Sequence, residues 1–307
     1  MGVLAKAEGM RKTVLVVCSI ASAMLLACAA AVLTAMPGFG KARTVTLVGA
    51  GDIARCDSRH DRATARLLGK IRGTVFTLGD NAYPDGTRAQ FRECYGPTWG
   101  KYKKRTKPAV GNHDYHTRGA RPYFDYFGAR AGKPGRGYYA YDRGTWHIVV
   151  LNSNCEEVGC LSRSHQADWL RRNLRKHRAR CTLAYFHHPL YTSGKEDDSP
   201  EVRRLWTILY KRGADVVLSG HAHRYERYAP ITPRGKRSDR GIRQFVVGTG
   251  GAPGEPPKGP KDSRVRAKKA GTPGVLKLRL RPSSYRWIFV PVPGRTFTDS
   301  GKDRCHK

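Results

Sequence analysis

Five short polar groups, each set at the end of an apolar run, constrain this chain more than any other feature. They are Gly51-Asp52, Gly79-Asp80-Asn81-Ala82-Tyr83, Gly111-Asn112-His113-Asp114, His187-His188 and Gly220-His221-Ala222-His223. The runs before them, residues 43–48, 74–78, 107–110, 182–186 and 216–218, read as strands. Helical patterns fall at residues 58–70, with Asp57 or Ser58 as cap, at 164–177, with Ser164 as cap, and at 200–212. Residues 137–141 and 147–151 read as a hairpin, and 243–247, 275–280 and 285–290 as later strands. Residues 252–271, rich in Gly, Pro and Lys, read as an exposed loop. Strands alternating with helices, then strands alone, imply one α/β domain of packed layers. Ligands and catalytic groups in such layers collect beyond strand ends. A Gly before the polar residue lets the chain turn sharply there.

Composition agrees with a packed domain. Apolar residues make up 39% and aromatic residues 9% of the 307 positions, which excludes a disordered chain or a low-complexity fibre. Mean hydropathy of -0.56 with a single long apolar run excludes a multi-span membrane protein. The net charge of +33 draws polyanions and phosphate esters. Its basic residues are spread along the chain, so most of the charge reads as a solvated surface.

The N-terminus reads as a targeting segment. Lys6, Arg11 and Lys12 precede an uncharged run, residues 13–36, that Pro37 and Gly38 end. Its length exceeds the 20 or so residues of a spanning helix, which favours an uncleaved signal anchor. Small residues at 27–31 keep a cleaved signal peptide open. The division expected is therefore residues 1–40 as basic flank plus anchor or signal, and 41–307 as the functional domain. Either way the bulk of the chain is exported, anchored at the cell surface or secreted. Six cysteines remain after that segment, an even number that suggests disulfides. Only Cys155–Cys160, closing a short loop, is assigned from sequence. A zinc site is disfavoured because no Cys-x-x-Cys pair occurs.

Asp and Asn oxygens mixed with imidazoles suit zinc, iron or manganese. Their number suits two ions about 3.5–4 Å apart sharing a carboxylate. In this order the five groups resemble the calcineurin-like metallophosphoesterases, over roughly residues 43–251. Within them, the purple acid phosphatase branch is the nearer likeness. The common pattern places a His two residues after the first Asp, where this chain has Ala54. The purple branch instead places a Tyr three residues after the second Asp, and Tyr83 stands there.

The resemblance implies a four-layer α-β-β-α fold of two mixed β-sheets packed face to face. It also implies hydrolysis of phosphomonoesters by metal-bound hydroxide. Asp52, Asp80, Tyr83 and His223 would hold a first metal, taken as Fe(III) because a phenolate is a hard anionic donor. Asp80, Asn112, His187 and His221 would hold a second, Zn, Fe(II) or Mn. His113 would bind the phosphoryl group or protonate the leaving group, and Asp114 would orient His113. His188 and Lys195 are further candidates for substrate binding. Relatives often carry a His about nine residues past the His187 position, where this chain has Glu196. That departure puts the leaving-group acid and the monoester preference in question, with Lys195 as the candidate compensating charge.

Blander readings apply to other residues. Asp52 and Asn112 alone would be ordinary turn residues. His147, His165 and His177 read as structural or solvated. Gly248-Thr249-Gly250-Gly251 lacks the Lys-Ser/Thr of a P-loop and reads as a tight turn near the site. Two rival functions follow. One is a phosphodiesterase or nuclease on the same two-metal centre. The other is a non-catalytic surface protein that binds anionic polymers. No obligate protein partner is expected; a membrane partner enters only through an uncleaved N-terminal helix.

Overall fold

The structure, a computed structural model, describes residues 44–194, 197–256 and 262–306. Strands β1 (Val45–Ala50), β2 (Thr74–Leu78) and β3 (Thr106–Ala109) lie side by side and parallel. Helix α1 (His60–Lys70) makes the crossover from β1 to β2, and α2 (Arg121–Phe127) follows β3. A second sheet begins with the hairpin β4 (Tyr139–Arg143) and β5 (Trp146–Val150). Helix α3 (His165–Lys176), β6 (Cys181–Tyr185), helix α4 (Arg203–Lys211) and β7 (Val216–Ser219) continue it. Then come β8 (Arg224–Tyr228), β9 (Arg243–Val247) and β10 (Val265–Ala270). The chain returns to the first sheet with β11 (Gly274–Arg281), β12 (Ser284–Pro291) and β13 (Ser300–Arg304). The sheets run β13-β12-β11-β1-β2-β3 and β10-β8-β9-β7-β6-β5-β4.

Both sheets are mixed, as expected. β6 shows why they stack. Its alternate residues Leu183 and Tyr185 enter a buried core shared with Leu47, Phe76, Leu78 and Leu278 of the other sheet. Ala184 faces a separate cluster, with Leu170 and Leu174 of α3 and Leu205, Trp206 and Leu209 of α4. The Phe76 and Tyr185 rings meet across the sheets at 5.9 Å. A strand buried on both faces reads as a continuous apolar run. Each such Leu or Phe contributes about 1.5–3 kcal/mol.

Ser164 caps α3 as expected, its side chain accepting from Ala167 N–H at 3.2 Å. Two sequence expectations are corrected. α1 starts at His60, not at 58, because Ser58 turns to bond Gly251 O as well as His60 N–H. Residues 252–271 are not all loop: β10 pairs antiparallel with β8. β10 is an edge strand in which Val265 and Ala267 turn inward and charges fill the exposed positions, so its apolar alternation is too short to read. β8 and β13 also went unassigned from sequence.

All six cysteines of the described residues pair: Cys56–Cys94, Cys155–Cys160 and Cys181–Cys305. The last joins β6 of one sheet to the residue after β13 of the other. The targeting segment, including residues 13–36, lies outside the described residues, as do Lys195 and Glu196. Among the described residues no helix is long and apolar enough to cross a membrane.

Candidate metal centre

The candidate ligands come from parallel strand ends of both sheets. Asp52 follows β1, Asp80 and Tyr83 follow β2, and Asn112 and His113 follow β3. His187 and His188 follow β6, and His221 and His223 follow β7. The turns are paired to one another. Asp52 N–H donates to Gly79 O at 3.1 Å, Ile53 N–H to Asp80 O at 2.9 Å, and Tyr83 N–H to Ala54 O at 2.8 Å. Ala54 thus contributes its backbone to seating Tyr83. Asp52, Asp80 and His221 adopt left-handed φ of 61°, 50° and 68°. The glycines are needed for close approach: a Cβ at Gly111 would lie 2.1 Å from Asp80 Oδ1, and one at Gly220 2.6 Å from Asp52 Oδ2. The Gly248–Gly251 turn backs the site, with Gly250 N–H bonded to Gly51 O at 2.8 Å.

The side chains converge on two buried carboxylates. Tyr83 Oη lies 3.0 Å from Asp52 Oδ1, 2.9 Å from Asp80 Oδ2 and 3.1 Å from His223 Nε2. His187 Nε2 lies 2.8 Å from Asn112 Oδ1 and 3.3 Å from Asp80 Oδ2. Its other nitrogen, Nδ1, lies 2.7 Å from Leu78 O. A carbonyl only accepts, so Nδ1 carries the proton. In the neutral ring, Nε2 then presents a lone pair toward two oxygens. His221 N–H donates to Asp52 Oδ2 at 3.0 Å, and the His221 ring sits 5.1 Å from that of His187. Ligating atoms of Asp52, Asp80 and His187 lie within 4.8 Å of one another, as do those of His187, His188 and His221.

Asp52 and Asp80 are 0% and 1% exposed, and among the described residues neither has a Lys or Arg partner. Burying carboxylates without a counter-charge is costly. Burial lowers the His187 pKa, but Asp80 outweighs it and raises the value to about 9. Burial also opposes His223, which Asp52 nonetheless lifts to about 8. Burial and then His187 lower His221 to about 4. Burial, then Asp52 and Asp80, push the Tyr83 phenol well above its usual range. The donor set therefore fits two metal ions: hard oxygens and imidazoles, with buried carboxylates that, among the described residues, no Lys or Arg offsets.

The remaining candidates divide. His113 N–H donates to Asp80 Oδ1 at 2.9 Å, and its ring packs on Tyr83 at 4.4 Å. Its Nδ1 is held by Pro84 O, which leaves Nε2 3.9 Å from Asp80 Oδ2. The expectation that Asp114 orients His113 is corrected. Asp114 instead accepts from Gly111 N–H at 2.9 Å and from Asn81 Nδ2 at 2.9 Å, bracing the turns that carry Asn112 and Asp80. His113 turns its Nδ1 to Pro84 O instead. His188 faces an open cavity of about 720 Å³ with Asn112, Tyr115, His116 and His221. Its backbone N–H donates to Ser153 Oγ at 2.9 Å, and the same oxygen meets its Nδ1.

Sequence reasoning passed over the cavity's other wall. Asn152-Ser153-Asn154 follows β5 after Leu151, so the strand-end rule applies there as well. Cys155–Val158, a short helix closed by the Cys155–Cys160 disulfide, carries Glu156 and Glu157 to the cavity, and Glu201 joins them. Glu255 meets His223 Nδ1 at 3.2 Å.

Residues 46–225 match the family model described as calcineurin-like phosphoesterase. Purple acid phosphatase 21 of Arabidopsis thaliana is 28% identical over 230 residues, covering 66% of this chain and 49% of its own. The chain spans about half the length of the curated relatives it matches. Among solved structures, purple acid phosphatase PPD1 from yellow lupin superposes with a TM-score of 0.68 at 18% identity. The match covers 86% of this chain and 54% of that one. The structure titled GAP50, the anchor in the inner membrane complex of Plasmodium, gives a TM-score of 0.68 at 14% identity, covering 86% and 90%. At these identities the two structures speak for the fold alone.

Proposed function

The chain belongs to the calcineurin-like phosphoesterase family, and from that premise we propose that it hydrolyses phosphomonoesters at a two-metal centre of purple acid phosphatase type. One observation carries this reading. Two buried carboxylates without a Lys or Arg partner are ringed by Tyr83, Asn112 and three histidines drawn from both sheets.

Asp52, Asp80, Tyr83 and His223 would hold one ion, proposed as Fe(III). Asp80, Asn112, His187 and His221 would hold the other, proposed as Zn, Fe(II) or Mn. When bound, the pair polarises phosphoryl oxygens and lowers the pKa of the attacking water. The protein's own residues do the rest. Leu78 O fixes the His187 tautomer, so Nε2 is the ligating atom. Pro84 O fixes the His113 ring and leaves Nε2 to hydrogen-bond the phosphoryl group or deliver a proton to the departing alkoxide. His188 steers substrate in the cavity, and Lys195 is the candidate for a compensating positive charge. No covalent phosphoenzyme is involved.

The acidic cavity wall favours a second reading, phosphodiester hydrolysis on the same centre. Glu156, Glu157 and Glu201 repel a dianion more than a monoanion. Turnover of an aryl phosphomonoester against the matching diester, with iron plus zinc or manganese supplied, separates the two. Faster monoester turnover supports the first. No turnover of either, with metal bound, leaves a non-catalytic polyanion-binding protein.

The domain from residue 41 is proposed to act outside the cytoplasm, anchored by residues 13–36 or released after cleavage. Three disulfides support an oxidising compartment. Cell fractionation with a C-terminal tag tests this: a cytoplasmic product overturns it.

A further inference from the structure

The outer face of β11, β12 and β13 lies beyond the residues that match the family and takes no part in the metal centre. Strand alternation sends Lys277, Arg279 and Arg281, then Arg286, then Lys302 and Arg304 outward. No acidic residue shares these outward positions. Among the described residues none of the six has an ion-pair partner, whereas Arg227 and Arg243 on β8 and β9 are paired with Asp299 and Asp303.

Register makes the face costly on its own. Arg279 stands directly opposite Arg286, and Arg286 directly opposite Lys302, so one row across three strands is wholly cationic. Like charges directly opposite destabilise a sheet. In the next row Ile288 stands between Lys277 and Ser300. Ile288 is 40% exposed, one of two large apolar side chains so open among the described residues. Trp287 lines the shallow cavity among these side chains but is only 6% exposed, too closed to serve as a base-stacking platform for a single-stranded nucleic acid.

We propose that this face docks on an anionic lipid bilayer. A two-dimensional grid of cations spaced about 5–7 Å matches a plane of negative headgroups. An apolar side chain inside the grid gains nothing from a phosphate polymer but gains burial at the acyl boundary. The bilayer also relieves the like-charge row, which a free protein surface does not.

The test uses the full chain and vesicles of phosphatidylcholine, with and without phosphatidylglycerol. Arg279→Glu, Arg286→Glu and Lys302→Glu together should weaken binding to the anionic vesicles by about a hundredfold. The control reverses three exposed cations on α3, Arg172, Arg175 and Lys176, to Glu and changes net charge equally. It should weaken binding less than threefold or so, since those cations lie away from the docked plane and the field is screened. Ile288→Ser should weaken vesicle binding severalfold and leave oligonucleotide binding unchanged. Circular dichroism checks that each variant is folded. Equal losses in both triple variants, or none in the face variant, overturn the proposal. Loss of oligonucleotide but not vesicle binding in the face variant overturns it in favour of a nucleic-acid surface.

Discussion

His187 Nδ1–H reaches across from one sheet to donate to Leu78 O on the other, at 2.7 Å. That single bond orients the ring so that Nε2 faces Asn112 and Asp80. His187→Gln keeps a polar side chain but loses the fixed donor atom. Turnover should fall by at least about a hundredfold, and metal content by one ion per chain. Elemental analysis beside an activity assay checks both. Full metal content with wild-type turnover would remove His187 from the ligand set.

Tyr83 is tied to the core by its ring and to the site by its hydroxyl. Tyr83→Phe removes only the second tie. The variant should unfold at nearly the wild-type denaturant midpoint yet retain the first ion about tenfold less well under a chelator. Unchanged retention would make Tyr83 a packing residue.

The carboxylates at the cavity wall make a graded test of substrate charge. Glu156→Gln with Glu157→Gln removes two negative charges on a loop held by its disulfide. The ratio of monoester to diester kcat/KM should rise about threefold to tenfold at low salt, and the gain should shrink as salt is added. A ratio that stays flat would place the substrate elsewhere in the cavity.

Asp299 provides the pH-dependent term. It accepts from Tyr225 Oη at 2.7 Å, Arg227 at 2.7 and 2.9 Å, and Trp287 Nε1 at 3.1 Å. Burial works against its ionisation, but Arg227 and the other donors outweigh it and hold its pKa below the usual range. A folded-state pKa below the unfolded one stabilises above about pH 4, and the contribution is lost as pH falls through the folded value. Asp299→Asn should therefore cost about 2 kcal/mol at neutral pH. The gap to wild type should close once the pH has fallen through that folded value. Urea melts at the two pH values decide it.

Cys181–Cys305 closes a loop of sequence separation 124 and staples the sheets together. Replacing both residues with Ala should cost about 3–5 kcal/mol by the chain-entropy argument, while turnover in the cold stays near wild type. A large loss of turnover without loss of stability would tie the staple to the site instead.

Much of this molecule was legible because its signals are local. Short apolar runs ending at Gly-Asp, Gly-Asn, Gly-His or His-His declare β1, β2, β3, β6 and β7, and with them the candidate ligands. What stayed hidden depends on partners far along the chain. β10 is paired only on one edge and carries Lys and Arg on its exposed positions, so Val265 and Ala267 are all its inner face shows in apolar signal before Lys268 and Lys269. Cys56–Cys94 and Cys181–Cys305 require knowing which distant segments neighbour which. Asp114 was misread because sequence adjacency suggests His113, whereas the turn geometry aims the carboxylate at Gly111 and Asn81. Ser153 and its neighbours were passed over because a Ser between two Asn resembles any loop.

Three non-glycine residues sit in left-handed backbone at the centre, and two of them are the carboxylates. A side chain in that conformation costs about 1–2 kcal/mol. Asp52→Gly would relax the turn and also remove a buried charge. The metal-free chain should then be tougher to heat than the natural one, and useless for binding metal. A screen that rewards solubility or heat resistance alone would thus drift toward erasing the centre. Any improvement of this scaffold has to be selected with metal retention scored alongside.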